Sequence, residues 1–185
     1  TKVQALGGGK NHMIVLPDAD LDMSADAAVS ASFGAAGQRC MAVSVVVAVG
    51  DIADDLISKI QSRMPNLVMG VTDDEKTQLG PVISQANKDR IYSFIDSAES
   101  DGAALVVDGR HRSNSLKGCF VGPTLIDNVK PGMSVYENEI FGPVLSIIPF
   151  ETEEEAIKIA NDTPYGLLNF IQTQDKKKAN RVAKK

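Results

Sequence analysis

Tryptophan is absent from this 185-residue chain, and cysteine and histidine occur only twice each. Two thiols, Cys40 and Cys119, are too few for a disulfide scaffold and fit a reducing compartment better than an oxidising one. No apolar run approaches the roughly 18 residues that a membrane span needs, and no basic stretch followed by an apolar core marks a secretory signal at the start. Positive charge is not in excess either: 19 Lys and Arg stand against 24 Asp and Glu, a net charge of -5, so nucleic-acid binding has no electrostatic support. What remains is 43% apolar and 23% charged, the balance of a chain that buries a core rather than a disordered or fibrous one.

Several suggestive motifs fail on inspection. Gly7-Gly8-Gly9-Lys10 lacks the glycine spacing of a phosphate loop, and Asn11 follows the lysine where Ser or Thr is required. Asp18, Asp20 and Asp22 start like a calcium loop, but Met23 and Val29 occupy the positions where glycine and glutamate belong. His12 and His111 have no zinc-ligand spacing. No GxGxxG fingerprint is present, so a bound dinucleotide would take most of its surface from elsewhere.

Short β-branched runs alternate with stretches of helical period. The expected strands are His12–Leu16, Ala42–Val49, Leu105–Val107, Val144–Phe150 and Leu167–Gln172; the expected helices cover about 20–35, 52–64, 84–101, 152–160 and 175–185. Asp20 and Ser84 are placed to cap two of these helices, and Thr152 with Glu155 forms a capping box for another. Nearly continuous apolar strands between helices predict an α/β fold of three layers, a mostly parallel sheet with helices on both faces. Residues 1–185 read as a single domain. The chain begins at Thr1 and stops without a helix-terminating signal, so the expectation is a domain excised from a longer protein.

The chemistry concentrates in Phe33-Gly34-Ala35-Ala36-Gly37-Gln38-Arg39-Cys40-Met41-Ala42. A cysteine between a helix end and a buried strand, flanked by small residues, has room for a substrate carbonyl and for amides to approach a developing oxyanion. Arg39 adds positive charge that favours thiolate over thiol. The same cysteine could equally be a small buried hydrophobe.

That segment resembles the active-site cysteine signature of the aldehyde dehydrogenase superfamily, Gly-Gln/Glu-x-Cys. Three further stretches agree in order and spacing: Gly8-Gly9-Lys10 with Pro17-Asp18-Ala19-Asp20-Leu21, then Glu139-Ile140-Phe141-Gly142-Pro143-Val144, then Asn161 to Leu167. The resemblance implies the catalytic domain of that fold, with Cys40 as the nucleophile that forms a thiohemiacetal and then a thioester. It implies Glu139 and Phe141 as contacts to the nicotinamide ribose of NAD, and Phe33 and Arg39 as substrate contacts. Without the family, Glu139 would be an exposed charge, Phe141 a core residue and Cys119 an inert core thiol. An NAD-binding domain is implied outside residues 1–185, with a homo-oligomer for the whole protein and a cytoplasmic location, or the mitochondrial matrix in a eukaryote.

Hydrolytic members carry a glutamate just before Leu-Gly-Gly-Lys, and alignment on Gly8-Gly9-Lys10 places Leu6 there. Leucine cannot activate water, which points to another acyl acceptor. Gly37 to Ala42, Lys10-Asn11-His12 and Gly118 to Leu125 resemble the methylmalonate-semialdehyde branch, which transfers its acyl group to coenzyme A. Arg39 then suits the substrate carboxylate through paired hydrogen bonds, or else serves in a surface salt bridge. Tyr165-Gly166-Leu167-Leu168 is closer to general aldehyde dehydrogenases, so a hydrolytic enzyme of another substrate class and a non-catalytic domain of the same fold stay open.

Overall fold

A computed structural model describes residues 1–5, 7–113 and 116–185; Leu6, Asn114 and Ser115 lie outside the described residues. The chain opens with β1 (Asn11–Val15), α1 (Leu21–Phe33), a 3₁₀ turn (Gly34–Gly37) and β2 (Val43–Val49). It continues through α2 (Ala53–Arg63), α3 (Gln85–Ser100), β3 (Ala104–Val107), the single turn α4 (Arg110–Ser113) and β4 (Thr124–Asp127). The last third holds the single turn α5 (Ser134–Glu137), β5 (Val144–Phe150), α6 (Glu153–Asn161), β6 (Phe170–Gln172) and α7 (Lys176–Val182).

The helices start where their caps put them. Asp20 accepts hydrogen bonds from the Asp22 and Met23 amides, both at 3.0 Å, and Ser84 accepts one from the Asn87 amide at 3.1 Å. Thr152 and Glu155 close a reciprocal capping box on α6. Each satisfies donors that the first helical turn leaves bare.

The six strands form one sheet in the order β3-β4-β5-β2-β1-β6. Among the described residues only β3 and β4 pair antiparallel. β1 and β5 are buried at five positions or more in succession, and β2 at all but Ser44, which requires cover on both faces. Helices α1 and α2 pack on one another and against β2 and β5; α6 packs against β1, β2 and β5. The sheet is therefore mixed but mostly parallel and flanked by helices, as the alternation of strand and helix predicts. Strand β4 was not expected: four residues behind the Gly122-Pro123 turn are too few to show a period, yet Thr124, Leu125 and Ile126 are all buried.

Because β1, β2 and β5 run parallel and adjacent, their amino-terminal ends lie along the same edge. The segments entering them are Gly9-Lys10, Cys40-Met41-Ala42 and Glu139 to Pro143. Topology alone thus brings together three of the stretches that stand out in the sequence.

Candidate active site

The approach to Cys40 is tightly bent. After α1 the backbone turns left-handed at Ala35 (φ 52°), Ala36 (φ 54°) and Gly37 (φ 67°). For alanine that region costs on the order of 1–2 kcal/mol each, the kind of local strain that collects at functional loops. Gly37 cannot be larger for a second reason, since a Cβ there would overlap the Gly142 carbonyl. The Cys40 turn and the Glu139 segment touch backbone to backbone at that point.

The result is a cleft lined by Cys40, Arg39, Asn11, Glu139, Phe141 and Gly142, among others. Cys40 is exposed, not sealed in the core. Phe141, with a left-handed φ of 51°, is 38% exposed, so it is not the core residue that its aromaticity alone suggests. Glu139 is half-buried, and its carboxylate oxygens approach Gly8 and Gly9: a Cβ on Gly9 would stand 3.7 Å from the Cys40 carbonyl and 3.8 Å from Glu139 Oε1. No hydrogen bond or ion pair among the described residues engages that carboxylate. It is an open acceptor facing the cleft.

Two expected substrate contacts fare differently. Arg39 lines the cleft, but its Nη2 donates to the Ser30 and Ala31 carbonyls at 3.0 and 3.1 Å, closing the last turn of α1. The alternative of a surface salt bridge is not realised; the guanidinium is a helix cap whose Nε and Nη1 have no partner among the described residues. Phe33, the other expected contact, is 1% exposed in the core and does not line this cleft; it lines a second pocket with Val29, Ser30, Gly34 and Arg63. Cys119 is partly buried, and its thiol lies 4.0 Å from Gln85 Oε1. Leu6 lies outside the described residues.

Four side chains hold the cleft together that sequence reasoning did not assign. Lys10, 4% exposed, donates from Nζ to the Val135 and Asn138 carbonyls at 2.6 and 2.7 Å. Burial lowers its ammonium to about 8, against the opposing pull of Glu139 and Glu137. Asn11 donates from Nδ2 to the Cys40 and Ala42 carbonyls at 2.8 and 2.9 Å, and its Oδ1 accepts from the Leu168 amide at 3.3 Å. Arg90 on α3 donates to the Glu139 carbonyl at 3.2 Å and also to that of Ile140. Gln38 accepts from the Ile83 amide at 3.1 Å and from Asn87 Nδ2 at 3.2 Å. The sequence signal was present for Lys10: a lysine entering a fully buried strand must find acceptors, since an unpaired buried charge is costly.

An exposed thiol, an open carboxylate and an exposed ring share one cleft whose backbone is fixed from several sides. The aldehyde dehydrogenase family model matches residues 1–185. The chain is 49% identical over 95% of its length to malonate-semialdehyde dehydrogenase 2 of Geobacillus thermodenitrificans, covering 37% of that protein. It is 44% identical over 98% of its length to the mouse mitochondrial methylmalonate-semialdehyde/malonate-semialdehyde dehydrogenase [acylating], covering 34% of it. A protein of Sinorhizobium meliloti 1021 solved in complex with NAD superposes at a TM-score of 0.92 with 44% identity, over 97% of this chain and 37% of that one. The chain thus spans little more than a third of its relatives' length, and over the whole of its own length it belongs to the aldehyde dehydrogenase family.

Proposed function

We propose that this chain is the thiol-bearing catalytic domain of an NAD-dependent semialdehyde dehydrogenase that passes its acyl group to coenzyme A, with malonate or methylmalonate semialdehyde as substrate. The observation that carries this reading is one cleft lined by both the exposed Cys40 and Glu139, whose carboxylate has no hydrogen-bond or ion-pair partner among the described residues. The NAD-binding domain is supplied outside residues 1–185.

The cleft fits a nicotinamide ribose. Two carboxylate oxygens with no donor among the described residues suit a vicinal diol, and the half-exposed Phe141 ring offers an apolar wall beside it. Bound NAD supplies the acceptor for the hydride that leaves the substrate carbon. Cys40 attacks the aldehyde carbon as thiolate, forming a C–S bond and a tetrahedral oxyanion, and the Cys40 amide helps hold that oxyanion. Once oxidised, the acyl group remains on Cys40 as a thioester; its β-carboxylate then leaves as carbon dioxide, and protonation of the resulting thioester enolate leaves an acetyl or propionyl group on the sulfur. With leucine at position 6 no carboxylate stands at that place to activate water, so the thiolate of coenzyme A attacks the thioester and Cys40 leaves. With Nη2 held by the end of α1, Arg39 offers Nη1 as a single charged donor to the substrate carboxylate. The whole protein is a homo-oligomer. Its location is cytoplasmic, or the mitochondrial matrix in a eukaryote.

The decisive experiment is a product assay on the whole protein with NAD, coenzyme A and malonate semialdehyde. Acetyl-coenzyme A formed in step with NADH is the expected result, abolished by Cys40→Ser, while residues 1–185 alone leave NAD unreduced. Free acid without thioester would remove coenzyme A from the account.

A further inference from the structure

Neighbouring side chains on a strand point opposite ways, and at the head of β1 two consecutive ones do so to unusual effect. Lys10 reaches the carbonyls of Val135 and Asn138, the last of these immediately before Glu139. Asn11 reaches the carbonyls of Cys40 and Ala42, the first of these on the nucleophile itself. Between the two loops, Gly9 brings the backbone close to both.

We infer that Lys10 and Asn11 form a positioning pair that sets the Cys40 thiol and the Glu139 carboxylate against one another, Asn11 aiming the nucleophile and Lys10 aiming the ribose-binding loop. This rests on the roles proposed above for Cys40 and Glu139. Three observations support it. The head of β1 pairs with β2 from Asn11 onward. On its other side, ahead of the β6 pairing at Met13, the Leu168 amide donates to Asn11 Oδ1 and the His12 amide to Asn169 Oδ1, so it is a fixed reference rather than a fraying end. The register slips between Asn11 and His12, with Ser44 the extra residue on β2, and bulges beside active sites commonly re-aim a side chain. Lastly, both side chains are nearly fully buried with their donors spent on loop carbonyls rather than on core packing. Desolvation of the Lys10 ammonium costs free energy, which its bonds to the Val135 and Asn138 carbonyls must offset.

The pair makes a crossed prediction for the whole dehydrogenase. Asn11→Ala should slow both kcat and iodoacetamide alkylation of Cys40 by about tenfold, with Cys119 as internal reference and KM for NAD within about twofold. Lys10→Met should raise KM for NAD by about tenfold and leave Cys40 alkylation within about twofold. Amide hydrogen exchange should rise at 40–44 in the first variant and at 135–141 in the second. If Asn11→Ala or Lys10→Met does not fold, Asn11→Ser and Lys10→Gln each keep one donor and should show the same crossed pattern more weakly. Both readouts moving together in both variants, or neither moving, would overturn the inference. A wild-type protein that does not reduce NAD would sink the proposed function instead, while alkylation and exchange still decide the pair.

Discussion

Gly37 carries two constraints at once, a left-handed φ of 67° and contact with the Gly142 carbonyl. Alanine there must either overlap backbone or push the Cys40 turn away from the Glu139 segment. Gly37→Ala should destabilise the chain by at least about 2 kcal/mol in urea denaturation and alter the alkylation rate of Cys40. Unchanged stability would mean that the two loops are not in contact. The sequence showed which residue types gather at this site but not how they are held. Cys40, Glu139 and Phe141 were readable because each sits in a motif of recognisable order. Lys10 and Asn11 were visible only as letters of such a motif, since their partners are backbone carbonyls 29 to 128 residues away and carbonyls leave no trace in sequence. The burial of Phe33 was not legible for a related reason: a place in the signature segment says nothing about which way a helix-terminal ring turns.

At the scale of elements, legibility tracked local chemistry. The capped helices were located to within a residue or two, because Asp20, Ser84 and Thr152 satisfy amides within their own first turn. Strand β5 matches its expected span, Val144–Phe150, whereas β6 begins at Phe170 rather than Leu167. Apolarity continues through Leu167 and Leu168, but Leu168 and Asn169 meet β1 through side chains, and backbone pairing starts only at Phe170. The Leu168 amide donates to Asn11 Oδ1 at 3.3 Å, and Asn169 Oδ1 accepts from the His12 amide at 3.1 Å. The capping box on α6 offers a control far from the thiol. Thr152→Ala removes the acceptor for the Glu155 amide and should cost about 1 kcal/mol of stability. Because α6 packs on β1, β2 and β5 through Ala156, Ile159 and Ala160 rather than on the cleft, Cys40 alkylation should stay at the wild-type rate. A fall in that rate would mean that the cleft responds to global stability, and it would weaken any positioning argument built on reactivity.

The whole molecule inherits a pH dependence from the same strand that frames the cleft. His12 is 2% exposed in β1, its Nδ1 has no partner among the described residues, and burial together with the Lys10 charge lowers its pKa to about 4. An unfolded chain protonates the same imidazole near 6.5, so between those values the unfolded state binds a proton that the folded state refuses. Stability must therefore fall as pH drops from 6.5 towards 4 and level off below, by about 3 kcal/mol in all from this group. Asp18 and Asp108, whose carboxyls are held below the usual range by Thr173 and Lys178 and by Arg110, act in the same direction at lower pH. The half-buried Asp127 carboxyl, raised by desolvation, works the other way. Urea denaturation of residues 1–185 at pH 7, 5.5 and 4.5 should show the early loss in wild type, and His12→Gln should flatten it over that window. An equal acid slope in the variant would show that the carboxylates alone govern acid stability, and that His12 takes up its proton within the fold.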